Sequence, residues 1–363
     1  MEASDNQSFS FEFLPAGRTV QGDGKKLKTI ETTTVKFSHR VEWWLLQGLS
    51  FWLNCPQSGE TCRRAMKLGR LGSLVLRREW AWCQTNLRLI YGDNLSQEER
   101  ECLGLLAFRN IFTSYVEGLQ PGGIQISHSS DEHHLIDAFQ LGRGVLLASV
   151  HLGGWESGLF HGAHVLGLPA ACLYRPTNNP LSEKFIQEHR SVYNVEWISR
   201  DDVRGAVRAL RRGKILVVMT DINFRQGGVA APFLGLPAMC PPGPSRLALQ
   251  LGVPLLSVVV LRDAPGINHI HYLPPLPLED VKGHANPLEE ATARLNRVFS
   301  GWIHDFAEQY NWLHARWRSR PDGRLWRPDG ELQEMARERV EPFIPVSERV
   351  RTLLQNKRGK CHY

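Results

Sequence analysis

The chain of 363 residues contains no run of about 18 uninterrupted apolar residues, which excludes a multi-span membrane protein. The opening residues, MEASDNQSFSFEFLPAGR, are acidic and polar first, not basic and then apolar as in a secretory signal. Seven cysteines stand at 55, 62, 83, 102, 172, 240 and 361, an odd number without a C-x-x-C pair. No disulfide framework and no metal site is therefore expected, and the compartment reads as reducing. Charge of one sign is not in large excess: 43 Lys and Arg against 37 Asp and Glu leave +6. Such a balance suits an anionic partner, and the lack of a helix-turn-helix, zinc finger or aromatic-basic motif argues against nucleic acid. No G-x-S-x-G elbow, G-x-x-x-x-G-K-[ST] loop, H-E-x-x-H pair or post-strand G-x-G-x-x-G occurs. A serine hydrolase, a P-loop enzyme, a zinc protease and a dinucleotide-binding unit are thereby unsupported.

With 42% hydrophobic and 22% charged residues, the chain has the composition of a globular protein. It divides into a polar extension over residues 1–38, a folded part over 39–328 and a charged tail over 329–363. Within the folded part, residues 39–120 read as helical and membrane-proximal, closing at Pro121-Gly122-Gly123, and 124–320 read as α/β. Val41 to Leu53, VEWWLLQGLSFWL, is too short to span a bilayer. Its Trp43, Trp44 and Trp52 suit the headgroup level. Thr61 to Arg78 interleaves Met66, Leu68, Leu71, Leu74 and Val75 with six Lys and Arg, the pattern of a helix lying on an anionic surface.

Three apolar runs, Val145–Val150, Ile215–Met219 and Pro254–Leu261, read as strands buried on both faces. Ile267–Leu273 alternates and reads as a partly exposed strand. Between them lie helical patterns at Asp201–Arg212, from Pro244 to Gly252, and over Pro287–Leu313. Strands alternating with helices define an α/β fold with a mixed, largely parallel central sheet flanked by helices. The first strand runs directly into His151-Leu-Gly-Gly-Trp-Glu156. A histidine at the carboxyl end of a buried strand is placed to act as a general base, and an acid five residues on can fold back onto its ring. Gly153 and Gly154 let a ligand approach the backbone, and their amides are candidates to stabilise an oxyanion. The cluster Asp131-Glu-His-His134 reads as a solvated helix start.

His151-x-x-x-x-Glu156 resembles the H-x-x-x-x-[D/E] motif of the glycerolipid and lysophospholipid acyltransferases. Three further segments are more specific. Tyr174-Arg-Pro-Thr-Asn-Asn-Pro-Leu181, the block Asp202–Gly213 followed by Asp221 and Gly228–Gly235, and Glu308–Pro321 are similar to stretches of the bacterial lipid A biosynthesis late acyltransferases. The resemblance covers roughly residues 40–328 and implies acyl transfer from a thioester, carried by acyl carrier protein or coenzyme A, to a hydroxyl of a membrane glycolipid. No cofactor or metal is implied. His151 would be the base and Glu156 its orienting acid. Arg175, Arg190 and Arg225 would meet phosphates of the substrates, and Asp221 would organise the site by hydrogen bonds. The implied location is the cytoplasmic face of the bacterial inner membrane, peripheral or shallowly inserted. Two departures stand out: a shorter N-terminal apolar segment than the family's anchor, and an altered stretch, Ile-Asn-Phe-Arg-Gln-Gly-Gly, after Asp221. Another glycolipid, an aminolipid or a lysophospholipid as acceptor, or an idle lipid-binding protein on the same fold, are the competing readings.

Overall fold

The computed structural model describes residues 35–53, 58–119, 125–127, 131–264, 267–326, 339 and 344–357. The expected extension lies outside them except for residues 35–38, and so do the Pro121-Gly122-Gly123 turn and most of the tail. Four helices lead: α1 (Phe37–Leu53), α2 (Ser58–Val75), α3 (Arg77–Tyr91) and α4 (Gln97–Leu119). There follow β1 (Gln125–Ser127), α5 (Glu132–Gln140), β2 (Val145–Ser149), α6 (Trp155–Phe160), β3 (Ala170–Tyr174), α7 (Pro180–Arg190), β4 (Val195–Ser199), α8 (Val203–Arg211) and β5 (Ile215–Met219). The chain continues through β6 (Val229–Phe233), β7 (Leu236–Cys240), α9 (Gly243–Leu251), β8 (Leu255–Ala264), β9 (Ile267–Tyr272), α10 (Pro287–Asp305) and α11 (Glu348–Lys357).

Seven strands form one sheet in the order β1-β9-β8-β2-β5-β3-β4. Pairings from β8 through β4 are all parallel, β8 meets β9 antiparallel, and β1 runs parallel to β9. The sheet is thus mixed and largely parallel. Successive strand residues point to opposite faces. Leu146, Ala148, Leu216 and Val218 enter a large core shared with α3, α4 and α8–α10, while Val145, Leu147, Ile215 and Val217 enter a smaller one with α5 and α6. Helices on both faces explain why these strands read as unbroken apolar runs. α8 starts where the sequence places it, because the Asp202 carboxylate accepts the Gly205 N–H at 2.8 Å.

Two elements depart from the sequence pattern. The helix expected over Pro287–Leu313 ends at Asp305, where Phe306 leaves helical geometry (φ −126°). Trp302 and Phe306 kept the helical spacing alive in the sequence, but the chain turns to run back against the His151 loop, with Leu152 and Tyr310 paired antiparallel. The expected charged tail contains α11, whose Val350 and Leu354 are buried and whose Arg349 stacks on Phe306 at 4.2 Å.

α2 lies close against α4. A Cβ on Gly69 would fall 2.6 Å from Arg109 Cα, and one on Gly72 would fall 2.5 Å from the Phe112 ring. On the outward side, α1 leaves Phe37, Trp44, Leu45, Phe51 and Trp52 exposed, and α2 does the same with Leu71, Leu74 and Val75. Among the described residues no helix is long and apolar enough to cross a membrane.

Candidate active site

β2 and β5 are adjacent, parallel and in register, with Ser149 opposite Met219. From β2 the chain leaves toward β3 and β4, returns to β5, and then crosses to β8 on the other side. Ligand sites in open α/β sheets form at such a reversal, beyond the carboxyl ends of the strands. Two residues past each strand end stand His151 and Asp221.

The two are joined twice. The Asp221 carboxylate accepts the His151 backbone N–H at 2.9 Å through Oδ2, and its Oδ1 lies 2.8 Å from His151 Nδ1. Asp221 is 3% exposed and the His151 ring 23%. Burial raises the Asp221 carboxyl, but the neighbouring His151, through charge and hydrogen bonds, outweighs it and holds the group below the usual value. An ionised Asp221 accepts the Nδ1–H, which leaves Nε2 as the basic nitrogen. Burial also works against the imidazolium, yet the charge and bond of Asp221, with a smaller push from Glu156, carry the His151 ring above its ordinary value.

Glu156 is not on the His151 ring. Its Oε1 is paired with the Arg190 guanidinium, which stacks on Trp197 at 4.7 Å, while Oε2 is buried without a hydrogen-bond partner. The sequence spacing placed an acid near the histidine correctly, but α6 turns Glu156 toward α7, and the residue beyond β5 takes the ring. Arg190 gives its Nη2 to Glu156, and its side chain is 22% exposed. Arg175 and Arg225 are exposed, beyond the carboxyl ends of β3 and β5, on the same rim as His151.

The glycines after His151 serve close packing. Gly153 has φ +59°, and a Cβ there would lie 1.9 Å from Val260 O. A Cβ on Gly154 would lie 2.5 Å from the Asn268 side chain. The Gly153 N–H donates to Gln309 O at 3.1 Å, so it is not open to an oxyanion. Trp155 meets the His151 ring edge-on at 5.1 Å and Tyr115 at 5.6 Å.

Residues 307–319 close the site from behind. Asn311 N–H donates to His151 O at 3.0 Å, and His314 Nε2 accepts the Asn223 N–H at 3.0 Å. The Asn223 side chain in turn exchanges hydrogen bonds with Ser319 Oγ and Ser319 N at 3.1 Å each. Desolvation, with the charges of His151 and Arg316, holds His314 below the ordinary histidine value against the opposing pull of Asp221. Burial and Asp221 both push the Tyr310 phenol up, so it stays neutral. Gln309 and His314 lie inside the Glu308–Pro321 segment, which the sequence marked only by its resemblance to the family.

A strand-end histidine whose Nδ1 is bonded to a buried aspartate is an arrangement chemically able to accept a proton from a hydroxyl at its other ring nitrogen. The sequence profile described as "Bacterial lipid A biosynthesis acyltransferase" matches residues 31–319. The chain belongs to this family of acyltransferases. It is 27% identical over 296 residues to the lipid A biosynthesis palmitoleoyltransferase of Escherichia coli (strain K12), covering 78% of this chain and 92% of that protein. With the lipid A biosynthesis lauroyltransferase of the same organism it shares 28% over 274 residues, 70% of this chain and 84% of the relative. A shorter match, 28% over 127 residues, joins it to the phosphatidylinositol mannoside acyltransferase of Mycobacterium tuberculosis, over 34% of this chain and 40% of that one.

Proposed function

We propose that the protein moves a fatty acyl chain from a soluble thioester to a hydroxyl of a lipid A precursor, with His151 as general base. The observation that carries this is the doubly bonded His151–Asp221 pair at the strand-end crevice, in a chain of the acyltransferase family. His151 Nε2 takes the proton of the acceptor hydroxyl as its oxygen attacks the thioester carbonyl. The tetrahedral centre collapses, the carbon–sulfur bond breaks, and the thiolate takes the proton back from the imidazolium. Asp221 stabilises that imidazolium and fixes the tautomer. Glu156 contributes by charge and by holding Arg190. The oxyanion role foreseen for the glycine pair falls to the Gly154 amide, and Arg175 and Arg225 are the arginines proposed to meet substrate phosphates.

The acceptor reading rests on the two lipid A relatives, each matched over most of its length. The match to a phosphatidylinositol mannoside acyltransferase supports another glycolipid as the second reading. The exposed apolar residues of α1 and α2, beside Lys67, Arg70, Arg77 and Arg78, support peripheral docking on an anionic bilayer, proposed as the cytoplasmic face of the inner membrane. Arg63 and Arg64 share Glu60 at 3.1 and 3.4 Å and leave one net positive charge there.

The test uses purified protein with acyl-carrier-protein and acyl-coenzyme A donors against lipid A precursors, mannosylated lipids and lysophosphatidic acid, with products identified by mass spectrometry. The expected result is a lipid A precursor heavier by one acyl chain, absent with His151→Ala. Efficient acylation of lysophosphatidic acid with glycolipids ignored would overturn the acceptor, and full activity in His151→Ala would overturn the mechanism.

A further inference from the structure

Asn110, Ser114 and Glu117 are spaced four and three apart on α4 and so share one helix face, buried in the interior. All three meet Arg262 near the end of β8. Arg262 Nε lies 3.1 Å from Glu117 Oε1, its Nη2 lies 2.5 Å from Glu117 Oε2 and 3.1 Å from Ser114 Oγ, and its Nη1 donates to Asn110 Oδ1. Arg262 and Glu117 side chains are each 5% exposed. A buried ion pair of this kind is replaceable by apolar packing at little or no loss of stability, so stability alone is a weak reason for its presence.

Cys62 Sγ also reaches Glu117 Oε1 at 3.7 Å, and the bonds of Asn110, Ser114 and Arg262 lead on to Gly153. Ser114 Oγ lies within hydrogen-bond distance of two carbonyls, Gly153 O and Asn110 O, the latter at 2.9 Å. Asn110 Nδ2 donates to Gln309 O at 2.6 Å, the same carbonyl that accepts the Gly153 N–H. Gln309 Nε2 donates to Arg262 O at 2.9 Å, and Gln309 Oε1 accepts the Arg262 N–H at 2.8 Å. Both backbone polar groups of Gly153, two residues after His151, are therefore fixed from α4 and its partners, and Gly153 at φ +59° cannot hold that place by helical or strand geometry.

We infer that Asn110, Ser114 and Glu117 of α4, with Arg262 and Gln309, are positioning residues that set the reach between His151 and Asp221 without touching substrate. His151 is faced by Asp221 beyond β5, by Glu156 on α6 and by His314 in the closing segment, and of these Asp221 is the one bonded to its ring. Loosening the Gly153 anchor lengthens the His151–Asp221 contact. The ring then loses the attraction that raises it, while its burial remains.

The inference rests on His151 as the base, so it is tested by a readout independent of activity as well as by kinetics. Ring titration of His151 by NMR is compared in wild type, Ser114→Ala and Glu117→Gln, each first shown folded by circular dichroism. The expected result is a His151 titration lower by about half a unit or more. Along with it, kcat falls about tenfold, KM for both substrates holds within about twofold, and the acid limb of kcat moves to lower pH. Ser114→Ala removes one hydroxyl and decides the matter should Glu117→Gln not fold. A folded Ser114→Ala whose His151 titrates as in wild type would overturn the inference. A wild-type protein that transfers no acyl chain would overturn the functional reading, and the ring titration would still decide this one.

Discussion

Asp221→Asn is the substitution that bears hardest on the proposed chemistry. The amide keeps the size of the carboxylate, so the crevice between β2 and β5 stays filled, but the charge is gone. In the wild type that charge accepts the backbone N–H and the ring N–H of one residue at 2.9 and 2.8 Å, in a place 3% exposed to water. A hydrogen bond to a charged group contributes about 1.5 to 3 kcal/mol, and the ring bond strengthens as the imidazolium forms. Losing the charge should therefore remove roughly 3 to 4 kcal/mol from the transition state, a fall of several hundredfold in kcat. KM should hold, because Asp221 lies behind the histidine. The pH profile supplies the second signature. The base must be neutral to act, and Asp221 raises its pKa while burial lowers it. The acid limb of kcat should thus shift to lower pH in Asp221→Asn as overall turnover drops. Steady-state kinetics across pH 5 to 9, with His151→Ala and the double variant as controls, measure both effects. The double variant should be little worse than the worse single one, since the pair acts as a unit. Turnover within tenfold of wild type and an unmoved acid limb would refute the pairing.

Stability should follow the same pair. His151 is raised in the folded state, so its contribution is full below its unfolded value and lost as pH rises through the folded one. Asp221 is lowered, so its contribution is present above its unfolded value and lost as pH falls through the folded one. The excess of wild type over Asp221→Asn in chemical denaturation should peak between about pH 4 and 6.5. Gly153→Ala should fail to fold or melt far below wild type by calorimetry, since its Cβ would meet Val260 O at 1.9 Å. Glu156→Gln removes the counter-charge of the partly buried Arg190, and should lower stability by about 1 to 3 kcal/mol while moving the acid limb less than Asp221→Asn does. Replacing Leu45 and Phe51 of α1 by serine should weaken flotation with anionic liposomes without lowering the melting temperature, as both are exposed, and binding should fall further in high salt.

The parallel strands were legible because β5 is apolar at every position and β2 at every position but its last, Ser149, as a sheet covered on both faces permits. β3 and β4 were not, since Tyr174 and Glu196 break the run where the sheet nears its edge. His151 was legible from its place at a strand end. Its partner was read as Glu156 because spacing along the chain is visible in a sequence and the pairing of β2 with β5 is not. Asp221 sits 70 residues from His151, and nothing in its own neighbourhood says which loop it faces. The positioning row on α4 was hidden for a related reason: Asn110, Ser114 and Glu117 look like an ordinary wet helix face until Arg262 is brought against them.

The doubling back of the chain after Asp305 governs the order in which the molecule can be made. Gly153 is held by Gln309, Asn86 by the carbonyls of Trp312 and His314, and Asn110 by Gln309, contacts that reach across 156, 226, 228 and 199 positions. Closing such long loops is slow, because entropy is lost before the contacts form. During synthesis, α1 and α2 emerge long before residue 309. On the docking proposed for α1 and α2, a nascent chain would meet the bilayer with His151 already made and its loop still unfastened, to be completed when the last of the folded part is delivered.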